Sequence, residues 1–148
     1  MTENERKQIE REMRAKGCNE SAISSALREK IKPELRDISN RAVDLKKRIG
    51  TIKGAIAALE LRLVQADADQ LHAARELNAA VDKKVDDIED GSDAVIEEKK
   101  SAYVARGEAR TEIIKQLTRL TEESMPLLIE LTNATRESAY LIGQFCSA

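Results

Sequence analysis

The residues able to do chemistry are few and far apart. His72 is the single histidine. It lies in a polar stretch with no cysteine nearby, so it cannot complete a zinc set, and it has no sequence neighbour to activate as a nucleophile. Cys18 and Cys146 fall near a turn and near a chain end. Neither has beside it the base that a catalytic thiolate needs. The six glycines are scattered, so no glycine-rich loop can cradle a phosphate. These residues predict no catalytic set, no cofactor and no metal centre, and hence a protein that is not an enzyme.

Two charged clusters have sharper potential. Counted from Asp86, a loop of EF-hand type would place Asp90, Gly91, Ser92 and Glu97 at suitable positions. Ile88 stands where a side-chain oxygen is required, and Asp93 where an apolar residue belongs. The segment therefore reads as a capped turn whose acids favour the start of the next helix. Its acids, Asp86, Asp87, Glu89, Asp90 and Asp93, form a candidate surface for a basic protein partner. Arg41, Lys46, Lys47, Arg48 and Lys53 make a basic stretch that could follow a phosphate backbone. It lacks interleaved aromatics and reads more simply as the solvated flank of a helix.

These groups must be positioned by helices. Thr2 with Glu5 makes a capping box, and Gly17 suits a helix end that requires positive φ. Asn19 can cap a second helix carrying Ile23, Leu27 and Ile31, which Pro33 is expected to close. Residues 1–32 thus predict a short helical hairpin. Its glycine turn, with Ile23 and Leu27 after it, also suits a helix-turn-helix, which would expose Arg14, Ser21, Ser24, Ser25 and Arg28 to nucleic acid.

From residue 34 onward a heptad seam appears. Ile38, Ala42, Leu45, Ile49, Ile52, Ile56, Leu59, Leu63 and Ala66 recur at alternating spacings of four and three. The seam is expected to shift phase to Val64, Leu71, Ala74, Val81, Val85 and Ile88. After a turn at 90–93 it resumes at Ile113, Leu117, Leu120, Ser124, Leu127, Leu131, Ala134, Ser138, Leu141 and Phe145. Between them Val95, Ala102, Tyr103 and Ala109 give a weaker pattern. Two such helices joined by a short turn should pack antiparallel, giving a long coiled-coil hairpin over 34–146. With the turn centred on Gly91, Pro126 would face Ile56, near Gly50 and Gly54, and a shared bend or break is expected there. Leu127, Leu128, Ile129 and Leu131 exceed what one seam needs, predicting a core or oligomer surface at this end of the hairpin.

Composition supports an all-α fold. Of 148 residues, 35% are charged and only 2% aromatic, with Leu, Ile, Val and Ala supplying the apolar content. The net charge is −2, so charge alone implies neither a nucleic-acid nor a membrane partner. It is unevenly spread: residues 37–63 hold six basic and three acidic residues, and residues 64–98 three and eleven. No apolar run is long enough to span a membrane, the first residues lack a secretion signal, and two cysteines make no disulfide framework. The simplest compartment is the cytoplasm. A non-catalytic protein-binding or assembly role, with a homo-oligomer and an unidentified protein partner, is the expected function. The other reading is a DNA-binding assembly factor: the order of elements, a possible helix-turn-helix followed by an oligomerising hairpin, is similar in layout to phage small terminase subunits.

Overall fold

The computed structural model describes residues 1–86 and 92–148. Three helices account for nearly all of them: α1 (Glu3–Ala15), α2 (Glu20–Asp86) and α3 (Ser92–Ser147). The fold is an all-α helical hairpin in which α2 packs against α3, preceded by the short α1.

The junction of α1 and α2 follows local rules. Glu5 N–H donates to Thr2 Oγ1, and Thr2 N–H donates to Glu5 Oε2 at 2.7 Å, completing the capping box. At the other end Cys18 N–H reaches the Met13 carbonyl and Gly17 N–H the Arg14 carbonyl, both at 3.0 Å. This Schellman pattern needs a left-handed residue, and Gly17 supplies it at φ 77°. Asn19 Oδ1 then accepts from Ala22 N–H at 2.8 Å, capping α2.

Pro33 does not close the second helix, contrary to the sequence expectation; α2 runs through it. Proline in a helix interior costs about 3 kcal/mol. Burying side chains such as Leu27, Ile31 and Ile38, one face of this same helix, contributes about 1.5–3 kcal/mol each. Pro33 and Glu29 both lie on the exposed face, where water can satisfy the carbonyl that loses its partner. Pro126 is likewise exposed inside α3. Neither helix breaks at Gly50, Gly54 or Pro126.

The chain divides into two compact units: Met1–Gly50 with Met125–Ala148, and Thr51–Ser124. The division falls beside Gly50 and Pro126. In the first unit Ile31, Ile38, Ala134 and Leu141 form a cluster, against which Met1, Leu35 and Phe145 pack. Residues on both sides of Pro33 belong to it. In the second unit Leu59, Ala66 and Ile113 form a cluster with Leu63, Leu117 and Leu120.

The expected seam from Ile38 to Ala66 is buried or half-buried throughout, as is the α3 seam from Ile113 to Phe145. Among the described residues the expected phase shift does not occur, although Ala74 is half-buried; the Val85 and Ile88 side chains lie outside those described. Beyond Ala66 the inward positions are Gln70, Ala73, Leu77 and Ala80, which keep the same heptad phase. Val64, Leu71 and Val81 are exposed. Bulky side chains suggested a new seam, but small and polar residues fill the old one without rewinding the helix. Pairing differs too. A turn centred on Gly91 would set Asp67 opposite Lys115, whereas Asp67 pairs with Arg110, a displacement of about five residues.

Candidate interaction surfaces

In the second unit, the α2–α3 seam becomes polar where apolar periodicity weakens. Arg110 Nε donates to Asp67 Oδ1, and Lys99 Nζ donates to Glu76 Oε2 at 3.2 Å. Gly107 lies between these pairs along α3. A Cβ there would stand 3.1 Å from Gln70 Nε2, so the glycine allows the Gln70 amide a close approach. His72 Nε2 lies 3.1 Å from Glu76 Oε1 on the same helix. The Glu76 carboxyl is held below its ordinary range, first by the Lys99 hydrogen bond and then by that ammonium's charge. The Asp67–Arg110 and Glu76–Lys99 pairs both link α2 to α3 and are partly exposed. The sequence reading missed them because Lys99, Arg110 and Gln70 are not apolar; their opposite charges at matching positions were the available signal.

The proposed acidic surface is only partly within view. Asp87, Glu89 and Asp90 lie outside the described residues. Asp86 ends α2. Asp93 is exposed at the start of α3 and pairs with Lys84. The EF-hand-like segment also crosses residues outside the described set. Among the described residues, no three His, Cys, Asp or Glu side chains are grouped to hold a metal ion.

The residues offered as nucleic-acid contacts are differently occupied. Ser24 Oγ donates to the Ala148 carbonyl, and Arg28 Nε donates to the Phe145 carbonyl at 3.4 Å. The Arg28 guanidinium also stands 5.6 Å from the centre of the Phe145 ring. Arg6 of α1 donates to the Ser147 carbonyl at 3.3 Å. The last turn of α3 has no basic residue of its own, so Arg6 and Arg28 bring positive charge to its negative dipole end. Arg14 pairs with Glu20 at 3.3 Å, while Ser21 and Ser25 are exposed. The structure thus places Ser24 and Arg28 together at the end of α3, and leaves Arg14, Ser21 and Ser25 elsewhere.

The apolar group on α3 splits in two. Leu127 is buried and Leu131 half-buried, so both belong to the core. Leu128 and Ile129 remain exposed, at 38% and 58%. With Met125, Thr132, Asn133 and Arg136 they line a shallow apolar surface in the first unit. No α1 residue lines it: Arg6 of α1 donates to the Ser147 carbonyl near the helix end, where Gln144 donates to the Met1 carbonyl. On α2 of the second unit, Leu61 is 74% and Val64 68% exposed, with Leu71 exposed in the same row. The basic residues Arg41, Lys46, Lys47, Arg48 and Lys53 are all exposed on α2.

A polar groove lined by Glu3, Arg6, Lys7, Glu10, Tyr140 and Gln144 lies between α1 and the end of α3. Its charges are mutually paired, Arg6 with Glu10 at 3.1 Å and Lys7 with Glu3 at 2.7 Å. Hydrogen bonding and charge from Lys7 hold the Glu3 carboxyl below its ordinary range. Glu5 is lowered chiefly by the Thr2 backbone N–H. Cys18 is half-buried in the turn and Cys146 exposed; both are free thiols. No helix among the described residues is long and apolar enough to cross a membrane. Comparison with known proteins finds no matching family model, no matching curated protein and no matching solved structure.

Proposed function

We propose that this chain is a non-catalytic protein-binding or assembly protein that acts through helix–helix contact, as adaptors, chaperones, virion assembly factors and protein inhibitors do. One observation carries the reading: exposed apolar side chains remain in register on helix faces whose other sides are already packed, Ile129 on α3 at 58% and Leu61 on α2 at 74% among them. Apolar rows on an otherwise highly charged helix mark contact surfaces for other helices. The acidic residues Asp86, Asp87, Glu89, Asp90 and Asp93 are a second proposed contact, suited to a basic protein surface. A reducing compartment such as the cytoplasm accords with the two free cysteines. A nucleic-acid partner has less support, because Ser24 and Arg28 are engaged with the end of α3.

The test is affinity capture from host lysate with nuclease treatment, comparing the native chain with Leu128→Ser/Ile129→Ser. Both positions are exposed, so helical content should be retained. A nuclease-resistant protein captured by the native chain and lost with the variant supports the reading. Capture that disappears on nuclease treatment would instead support nucleic-acid binding.

A further inference from the structure

We propose that the α-ammonium of Met1 is the anchor that holds α1 on the first unit, and that joining an acyl group to that nitrogen releases the helix.

Little else holds α1. It has no buried residue, and eight of its 13 residues are charged. Ile9 and Met13 are only half-buried, so apolar burial contributes little. Arg6 reaches the Ser147 carbonyl and Arg14 pairs with Glu20, both in exposed contacts at 3.3 Å. Exposed pairs of this kind hold weakly.

Met1, just before the Thr2 cap, is tied at three points. Its side chain is 1% exposed and packs against the cluster of Ile31, Ile38, Ala134 and Leu141. Its carbonyl accepts from Gln144 Nε2 of α3 at 3.0 Å. Its ammonium donates to Glu34 Oε2 of α2 at 2.7 Å. One residue thus links α1 to both long helices of the first unit.

The seat suits a charged nitrogen. Glu34 can only accept, and an ammonium offers it three donors and a positive charge. Acyl transfer from a thioester forms an amide at that nitrogen and breaks the thioester C–S bond. One proton leaves with the thiol and another goes to solvent. The charge is lost, one N–H remains, and a new acceptor is added beside the carboxylate. Any residue joined ahead of Met1 makes the same amide. The capping box uses the Thr2 and Glu5 N–H groups instead, so α1 keeps its cap while its hold on the first unit weakens.

The test uses full-length chains with a free or an acetylated Met1 amine, each with and without Glu34→Gln. Glu34 is 44% exposed, so Glu34→Gln should leave α2 intact. Amide exchange is read segment by segment. Acetylation should speed exchange across α1 about three- to tenfold, the range for a half-exposed charged hydrogen bond. Exchange at residues 59–66 should not change. Glu34→Gln should speed α1 exchange similarly, and acetylating that variant should add less than about twofold, because both changes break one pair. A chain extended by a Gly-Ser pair before Met1 should match the acetylated chain. Unchanged α1 exchange on acetylation overturns the inference. So does an acetylation effect equally large in the Glu34→Gln chain, or an extended chain that exchanges like the free-amine one.

Discussion

Replacing Ile31 by alanine should destabilise the first unit by about 3 kcal/mol. Ile31 is fully buried, at 0% exposure, in the cluster with Ile38, Ala134 and Leu141. The substitution removes three carbons. At about 0.8 kcal/mol for each buried CH₂, the lost transfer free energy is about 2.4 kcal/mol. Ala134, also at 0%, is too small to swing into the space, so a residual cavity adds to the loss; changes of this type fall at about 2–5 kcal/mol. Ile31→Val removes one carbon and should cost about 0.5–1.5 kcal/mol. The assay is urea unfolding followed by circular dichroism, with amide exchange near Ala134 and Leu141 reporting local opening. The distinctive expectation is the site of the effect: protection around residues 134–141 should fall, because Ile31 packs across to α3 from before Pro33. If Ile31→Ala left that protection unchanged, or cost under about 1 kcal/mol, the claim that residues before Pro33 share the core of the first unit would fail.

Three further outcomes can be checked. Gly54→Ala should stabilise the chain by about 0.5–1 kcal/mol in thermal unfolding, because the residue is helical and nothing stands within 4 Å of the added Cβ; Gly107→Ala should gain less, since its Cβ meets Gln70 Nε2 at 3.1 Å. Gly17→Ala should cost about 1 kcal/mol by the same measurement, because φ 77° is strained for a residue with a Cβ. Glu76 has a lowered carboxyl pKa in the folded chain, so its contribution to stability is present above the ordinary carboxylate range and is lost as pH falls through the lowered value. A carbon-13 titration of its carboxyl should show that lowering, and Lys99→Met should largely remove it; an unchanged titration would show that Lys99 is not its cause.

The sequence by itself determined the helices, their caps and most of the seam. Thr2, Glu5, Gly17 and Asn19 act through neighbours only a few residues away, so their chemistry is legible without knowledge of the rest of the chain. The heptad from Ile38 to Ala66 was legible because each residue had to face the same partner. Sequence also exposed the charge asymmetry of α2. Tertiary structure decided what depends on a second helix. It carried α2 through Pro33, because burial on both sides of the proline outweighs a lost hydrogen bond on a solvated face. It kept the heptad phase through Gln70 and Ala73 and left Leu71 exposed, because those positions continue the face of α2 that α3 covers. It also turned Ser24 and Arg28 from candidate nucleic-acid contacts into caps for the last turn of α3. A side chain's type limits the partners it can satisfy, but only the packed helices determine which partner comes within reach.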